Sequence, residues 1–344
     1  MTPIYNQLLI PFLTAMVVAI TMGGSGTAPA FSASYGANVM RKSLIPGLFG
    51  IMVFVGAFLA GKKTASTMGS GILPAEYMDF TVVSIALFSI AVTMLISNIS
   101  GIPQSTSQAA VLALAAPALY FNKLDTHNLF VEIIPAWFIL PIISYFLSFF
   151  AGKYIYQPMR RRGLTIQRAQ NENKRHIWEV VLVIMALYVS FAIGSNNVAN
   201  AAGPLYTMTI NELHIRESDH IVILMLATLV VAPCFGIGAS LFGHKILKNT
   251  GKEIILFGKF EAAIIAFISG SLLLLASVVK GIPTSLVQVN VAAILGIGVA
   301  KMGHKNIFSK TQVKRFFTMW MIAPVISFLL SLLLIFLADK ANLL

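Results

Sequence analysis

The chain has 344 residues, of which 57% are hydrophobic and 10% are charged. Soluble domains carry about 25% charged residues, so this composition excludes an ordinary soluble protein and indicates a polytopic membrane protein in contact with a lipid bilayer. The net charge of +12 does not indicate nucleic-acid binding, because the basic residues fall in short loops between apolar runs, where membrane topology accounts for them.

Ten apolar runs predict membrane-embedded helices, since about 20 residues span a bilayer. The runs at 104–120 and 286–300 are short, and we expect them to be the return arms of re-entrant hairpins. The start of the chain has no basic segment, so the first run is expected to be a retained span and not a signal peptide. In chain order the runs cover 6–29, 44–61, 80–99, 104–120, 132–155, 177–197, 220–243, 255–279, 286–300 and 316–338.

The second half of the sequence repeats the first. Gly-Ile-Pro at 101–103 returns at 281–283, and Gly-Ser at 24–25 returns at 194–195. One offset of 183 relates four residues of the first half to four of the second, namely Trp137, Pro141, Ser144 and Ser148 to Trp320, Pro324, Ser327 and Ser331. A similar composition of the two halves would not by itself reproduce the spacing between these four residues. Five runs in each half, an odd number, predict that the two halves are inverted relative to each other in the membrane.

We therefore predict an all-α polytopic membrane protein built from two inverted-topology repeats, with broken helices and paired re-entrant hairpins. The repeats cover 1–156 and 176–344, and a basic cytoplasmic linker at 157–175 joins them. Most Lys and Arg residues fall on the linker's side of the membrane, so the positive-inside bias places both termini outside. The two hairpins then enter from opposite sides, and their tips can meet near the midplane, where helix N-termini suit an anion.

Two stretches, 100–108 and 280–288, break the hairpins next to hydroxyl side chains. Gly and Pro interrupt helices, and irregular backbone at membrane depth survives only inside protein or beside a polar cavity. Such a pair of breaks in corresponding halves is the best sequence indication of a transporter's binding site. The predicted hairpin breaks are Gly101, Pro103, Gly281 and Pro283.

A second pair of motifs, at 22–30 and 193–201, is expected to interrupt the first run of each half. Asn197 and Asn200 are three residues apart and share a helix face. Amides on an apolar helix are costly unless they are paired or solvated. They can belong to a binding site, or they can serve as interhelical hydrogen bonds beside small-residue packing.

The stretch Gly194–Ala201 resembles the Gly-Ala-Asn-Asp-x-Ala-Asn signature of the PiT family of inorganic phosphate transporters. The two Gly-Ile-Pro stretches resemble that family's Gly-x-Pro-x-Ser-Thr-Thr-His motif. The resemblance covers essentially the whole chain. It implies inverted repeats, paired hairpins, both termini outside, and oxyanion uptake coupled to a cation, often by a homodimer.

The sequence departs from the family pattern at the motif's Asp and His positions and at one Asn. Thr27 and Asn197 stand where the family has Asp, Gln108 and Gln288 stand where it has His, and Gly26 replaces an Asn. Protonated phosphate can donate a hydrogen bond to a carboxylate. Sulfate is fully ionised and needs donors only, such as hydroxyl, amide and backbone N–H groups. The pattern at 24–28 resembles the bacterial CysP-type sulfate permease branch of the family.

Two ionisable residues are candidates for roles in transport. Lys280 directly precedes the second hairpin tip, and it either contacts the bound dianion or extends to the outer interface. Glu261 either lies in the interface or points inward as a proton carrier. Moving a dianion into a cell held at −100 mV costs about 4.6 kcal/mol, so accumulation needs a coupling cation, for which we favour the proton over sodium.

These observations predict a secondary active transporter that imports sulfate across the cell's inner (plasma) membrane by proton symport. A phosphate:cation symporter of the same family and an anion channel are the alternatives. An enzyme is not expected, because the apolar runs hold no catalytic constellation, and neither a metal site nor a cofactor is predicted. The expected substrate-binding residues are Ser25, Gly26, Thr27, Ser105, Thr106, Ser107, Asn196, Asn197, Asn200, Lys280, Thr284 and Ser285.

Overall fold

The computed structural model describes residues 4–36, 39–100, 104–162, 172–244, 247 and 258–344. In this part of the chain every regular element is helical. Eight helices are long and apolar enough to cross a membrane, and two shorter apolar helices accompany them. These ten correspond to the ten predicted runs, so the prediction of an all-α polytopic membrane protein is confirmed.

Among the described residues, the first half contains six α-helices of nine residues or more, and the last of them is lengthened by π-helical segments and a short helix at Gln157–Arg161. Asn128–Ile133 precedes it and Ala151–Tyr156 follows it, so that one apolar rod runs from Asn128 to Arg161. The helices are α1 (Ile4–Gly36), α2 (Ile45–Ala60), α3 (Lys62–Ser70), α4 (Phe80–Ser100), α5 (Thr106–Tyr120) and α6 (Ile134–Phe150).

The described part of the second half contains six long helices and a short one at His304–Phe308. They are α7 (Glu172–Asn197), α8 (Ala199–Leu213), α9 (His220–Leu241), α10 (Lys259–Leu275), α11 (Leu286–Met302) and α12 (Thr311–Lys340). Only Val198 separates α7 from α8, so the predicted break in this half is a one-residue interruption. Residues 163–171 of the predicted linker lie outside the described residues.

The predicted break at 22–30 is wrong, because α1 is continuous through that stretch. The hydroxyls of Ser25 and Thr27 donate to helix carbonyls one turn earlier, so these polar groups are satisfied within the helix. Gly23 serves close packing, since a Cβ there would come within 2.2 Å of the Phe235 carbonyl oxygen on α9. Gly23 therefore brings α1 and α9 together and does not end a helix.

The most extensive packing joins the two halves of the chain. α6 packs along α11 and α12 along α5, while α2 packs along α7 and α1 along α9. Each pair thus joins one helix of the first half to one of the second, and the repeat relates α6–α11 to α12–α5. The two halves therefore pack against each other along much of their length. The division of the sequence into repeats at 1–156 and 176–344 stays a prediction.

Two buried serines show that the repeat extends to individual contacts. The Ser144 hydroxyl on α6 donates to the Val289 carbonyl at 2.8 Å, and the Ser327 hydroxyl on α12 donates to the Ala109 carbonyl at 2.9 Å. The donors are 183 positions apart and the acceptors 180. Reciprocal contacts of this kind are what a two-fold relation between the halves gives. The opposite orientation of the halves in the membrane stays a prediction.

We expect Ser144→Ala and Ser327→Ala each to lower the free energy of unfolding by about 0.5–1.5 kcal/mol. Each change removes a buried donor and leaves a carbonyl of a hairpin arm without that bond. Unfolding can be followed by thiol labelling of Cys234, which is buried and free. Ser66→Ala changes an exposed serine and serves as the control; equal effects of all three changes would contradict the role assigned to the buried pair.

Candidate functional site

The tip of the second hairpin is an irregular segment between α10 and α11. A π-helical extension of α10 ends at Lys280, and Gly281 adopts a φ of +67°. A side chain at Gly281 would be strained in this conformation, and its Cβ would lie 2.8 Å from the Lys63 backbone. The predicted break at Gly281 and Pro283 falls in the stretch between Lys280 and Leu286 that is not helical, whereas Gly101 and Pro103 lie outside the described residues.

Matching serines cap the two return arms. Ser105 accepts a hydrogen bond from the Gln108 N–H at 3.2 Å, and Ser285 accepts one from the Gln288 N–H at 3.2 Å. Both serines are buried. An N-cap leaves the other N–H groups of the first turn without acceptors in the helix. These donors, together with the positive ends of the helix dipoles, suit an anion.

A reciprocal amide pair holds the two caps together. Nε2 of Gln108 donates to Oε1 of Gln288 at 3.1 Å, and Nε2 of Gln288 donates to Oε1 of Gln108 at 2.9 Å. The two residues are 180 positions apart and both are buried. Self-complementary contact between repeat-equivalent side chains is typical of a two-fold axis. The structure therefore brings the starts of α5 and α11 side by side.

Asn196, at the end of α7, holds the second tip. Its Oδ1 accepts from the Thr284 N–H at 3.1 Å, and its Nδ2 donates to the Ile282 carbonyl at 2.9 Å. The same Nδ2 lies 2.9 Å from the Ser277 hydroxyl. One amide therefore fixes the irregular backbone on which Thr284 stands.

Asn197 and Asn200 hold the start of α5. Nδ2 of Asn197 donates to Oγ1 of Thr106 at 3.1 Å, and Nδ2 of Asn200 donates to Oγ of Ser107 at 3.1 Å. All four side chains are buried. The three asparagines thus bridge both hairpin tips, and their interhelical hydrogen bonds are part of the site's construction.

Several polar atoms of this cluster are buried and have no hydrogen-bond partner among the described residues. They are Nε2 of Gln104, Oγ1 of Thr284, and Oδ1 of Asn197 and Asn200. Buried polar groups are normally paired, because an unpaired one costs about 1–3 kcal/mol. Four of them around two helix N-termini point to a polar ligand. The hairpin cluster, as we call it, consists of Gln104, Ser105, Thr106, Ser107, Asn196, Asn197, Asn200, Thr284 and Ser285.

Gln104 was missed by sequence reasoning, although it stands inside the first hairpin motif. Its oxygen Oε1 accepts a hydrogen bond from the Ser97 hydroxyl, which leaves the amide nitrogen as its unpaired end. It is the repeat equivalent of Thr284, which also has an unpaired polar atom. Aligning the two Gly-Ile-Pro motifs pairs Gln104 with Thr284, and this pairing could have identified Gln104 as a site residue.

The hairpin cluster contains no ionisable side chain. In the part of the chain that the structure describes, Glu261 is the only carboxylate that is fully buried. It lies in the first turn of α10, about 30 Å from the tip at 1.5 Å of rise per residue. Positive potential in the cluster comes from N–H groups and helix dipoles and not from Lys or Arg.

Ser25, Gly26 and Thr27 are not brought into the cluster. The two hydroxyls donate to the carbonyls of Met22 at 3.0 Å and Gly23 at 2.7 Å. A Cβ on Gly26 would meet the side chains of Phe49 and Ile193, which are apolar. In the described structure this stretch is a packing surface of α1.

Lys280 also lies apart from the cluster. Its side chain is 60% exposed and pairs with Glu132 at 3.1 Å. An ammonium group that extends to the membrane boundary stays hydrated, and here it also pairs with a carboxylate. This avoids the free-energy cost of burying the charge. The prediction that Lys280 contacts the dianion is therefore not supported, and its alternative, a lysine that extends to the interface, fits this position.

Glu261 closes the base of the second hairpin. Its carboxylate pairs with Lys301 at 2.8 Å, and the two side chains are 2% and 14% exposed. The pair joins the start of α10 to the end of α11. Groups of three or more His, Cys, Asp and Glu side chains that could hold a metal ion are absent from the described residues.

The profile of the phosphate transporter family (PHO4) matches residues 22–331. The chain belongs to this family. Membership confirms the predicted resemblance and makes the chain an anion transporter and a multi-pass membrane protein, not an enzyme. The fold agrees as well, because a sodium-dependent phosphate transporter superposes with a TM-score of 0.82 at 20% identity, covering 97% of this chain and 99% of that one.

Curated members of the phosphate transporter family resemble the chain along nearly its whole length. The sulfate permease CysP of Bacillus subtilis (strain 168) is 31% identical, covering 97% of this chain and 89% of the relative. A putative phosphate permease of Methanocaldococcus jannaschii is 25% identical, covering 95% of each chain. A putative phosphate permease of Pyrococcus abyssi is 23% identical, covering 94% of this chain and 96% of the relative.

We expect Gln108→Leu and Gln288→Leu each to lower the free energy of unfolding by about 1–3 kcal/mol, because each leaves the partner amide buried and unpaired. The double replacement is expected to cost less than the sum of the two single changes, because it removes both polar groups. Cys234 labelling measures all three variants. Strict additivity would show that the two amides are not coupled.

Proposed function

We propose that the protein is a secondary active transporter that imports inorganic sulfate, with the anion bound at the hairpin cluster. The observation that carries this proposal is the donor set of the cluster, which offers hydroxyl, amide and backbone N–H groups and no carboxylate. Sulfate has only acceptor oxygens at neutral pH. The groups that hold it must therefore donate, as the unpaired Nε2 of Gln104 and Oγ1 of Thr284 can, and a nearby carboxylate would repel it.

The alternative substrate is phosphate, which most of the named relatives are described as carrying. Phosphate keeps at least one proton at neutral pH, and a carboxylate acceptor for that proton would favour it. Asn197 stands where the family's motif has Asp, and it can accept only through its amide oxygen. The relative that is 31% identical is named a sulfate permease, which agrees with the chemistry of the donor set.

The proposed coupling ion is the proton. Import of a dianion against −100 mV costs about 4.6 kcal/mol, which two co-transported cations would cancel. The pair Glu261–Lys301 is the candidate for a proton-dependent element, because it is buried and spans the base of the second hairpin. Since Glu261 lies far from the tip, it would act on the hairpin and not on the anion. Both termini are proposed to be outside, and the protein to be a homodimer.

Uptake of labelled sulfate into proteoliposomes tests the substrate. We expect unlabelled sulfate, thiosulfate or molybdate to compete more strongly than phosphate. Ser105→Ala and Ser285→Ala are each expected to weaken sulfate binding by about tenfold, because each loses a donor and a helix cap. Lys280→Ala and Lys340→Ala, which change exposed lysines, are the controls and should leave affinity within about twofold. Full affinity in both serine variants would refute the two-tip site.

Imposing pH and sodium gradients separately tests the coupling. An inward proton gradient is expected to drive accumulation, and Glu261→Gln is expected to abolish this dependence. Glu132→Gln, which removes the carboxylate of an exposed ion pair, is the matched control. Accumulation driven by sodium alone would overturn proton coupling. Flux that follows only the membrane potential would identify an anion channel.

A further inference from the structure

A cleft opens between helices beside the α7–α8 junction. It has a volume of about 140 Å³ and lies between the end of α2, the start of α3, α9 and the α7–α8 junction. Its walls include Ala57, Val198, Ala202 and Leu224, and Lys62 and Thr228 supply the polar side chains. None of the hairpin-cluster residues lines it.

The cleft runs from a membrane boundary toward the bilayer interior. α2 ends at Ala60 and α9 begins at His220, so both helices reach the boundary beside Lys62 and Ile221. Thr228 lies two turns further along α9, about 10 Å deeper at 1.5 Å per residue. Leu59 and Met225 also line the cleft, and they are 70% and 41% exposed, which places apolar surface against the lipid chains.

Lys62 brings a positive charge to the mouth of this cleft. It forms no ion pair with another described residue, whereas Lys259, Lys280 and Lys301 are all paired with carboxylates. Its neighbour Lys63 is also engaged, since it donates to the Val279 carbonyl at 3.1 Å. A positive charge at the membrane boundary beside an apolar cleft is complementary to a phospholipid, which has a charged phosphate next to apolar acyl chains.

We propose that the cleft binds an anionic phospholipid, with the phosphate at Lys62 and part of an acyl chain beside Leu224 and Thr228. The volume is adequate, because an apolar cavity of about 150 Å³ in another protein binds benzene. A lysine near the membrane surface favours anionic over neutral lipid by about fivefold.

The bound lipid would pack against the α7–α8 junction, which carries the asparagines of the hairpin cluster. Val198, the residue that interrupts α7 and α8, lines the cleft together with Ala199 and Ala202. Asn197 and Asn200, in the same segment, contact Thr106 and Ser107 of the first hairpin. An acyl chain against this junction fills the space behind the segment that positions the two asparagines.

Native mass spectrometry of the full chain measures lipid binding directly, with dioleoylphosphatidylglycerol and dioleoylphosphatidylcholine as probes. We expect the wild type to retain phosphatidylglycerol about fivefold more strongly than Lys62→Ala. Lys62→Arg keeps the charge and should behave like the wild type. Lys340→Ala, a change at the exposed end of another spanning helix, is the matched control and should also retain the lipid.

Three outcomes would overturn the proposal. The first is equal retention of phosphatidylglycerol by wild type and Lys62→Ala. The second is displacement of the lipid by inorganic phosphate at constant ionic strength, which would show a site for free anions. The third is a lipid-free dimer that excludes phosphatidylglycerol, because a second copy of the chain would then cover the cleft.

The functional consequence rests on the proposed function and is tested separately. Sulfate uptake by the wild type is expected to be faster in vesicles containing phosphatidylglycerol than in vesicles of phosphatidylcholine alone, and Lys62→Ala should lose this difference. Equal uptake in both lipids would remove the supporting role. Absence of sulfate uptake in every lipid would contradict the proposed function and leave the lipid-binding result intact.

Discussion

The structure depends on holding two helix N-termini next to each other inside a membrane protein. α5 and α11 both begin at the hairpin cluster, and their dipoles place like partial charges together. The Gln108–Gln288 pair and the three asparagines offset that repulsion with neutral hydrogen bonds. No carboxylate is needed for this purpose, because amides supply both donors and acceptors. The same arrangement leaves two possible donors unpaired, Nε2 of Gln104 and Oγ1 of Thr284, and together with the N–H groups of the two helix N-termini they suit an anion.

The interlocked packing of the halves makes this arrangement possible. Each return arm lies against a long helix from the other half, α5 against α12 and α11 against α6. Buried serines on those long helices donate to carbonyls of the arms and fix their register. The tips are therefore positioned by the opposite repeat as well as by their own, which couples any movement of one hairpin to the other.

Much of this could be predicted from the sequence, because helix breaks and repeats leave local signals. The ten runs, the break at Gly281 and the partnership of the two hairpins followed from spacing and from Gly and Pro. The stretch at 22–30 was misinterpreted, because glycine permits a break but also permits close packing, and only the position of Phe235 distinguishes the two. The two alternatives for Lys280, the anion or the interface, stayed open in the sequence because sequence does not reveal a nearby partner, in this case Glu132. Gln104 was not predicted as a site residue, because the adjacent hydroxyl residues Ser105, Thr106 and Ser107 were the ones that resembled anion ligands.

The central claim is that the absence of carboxylates makes the cluster a sulfate site. Asn197→Asp tests it most directly, because it restores an acid at a family position with almost no change in shape. Equilibrium binding of labelled sulfate and labelled phosphate should be measured for this variant, with Asn290→Asp, a buried change outside the cluster, as the control. The account predicts that Asn197→Asp loses sulfate binding and shifts preference toward phosphate, while Asn290→Asp keeps the wild-type preference. Unchanged sulfate affinity in Asn197→Asp would contradict it.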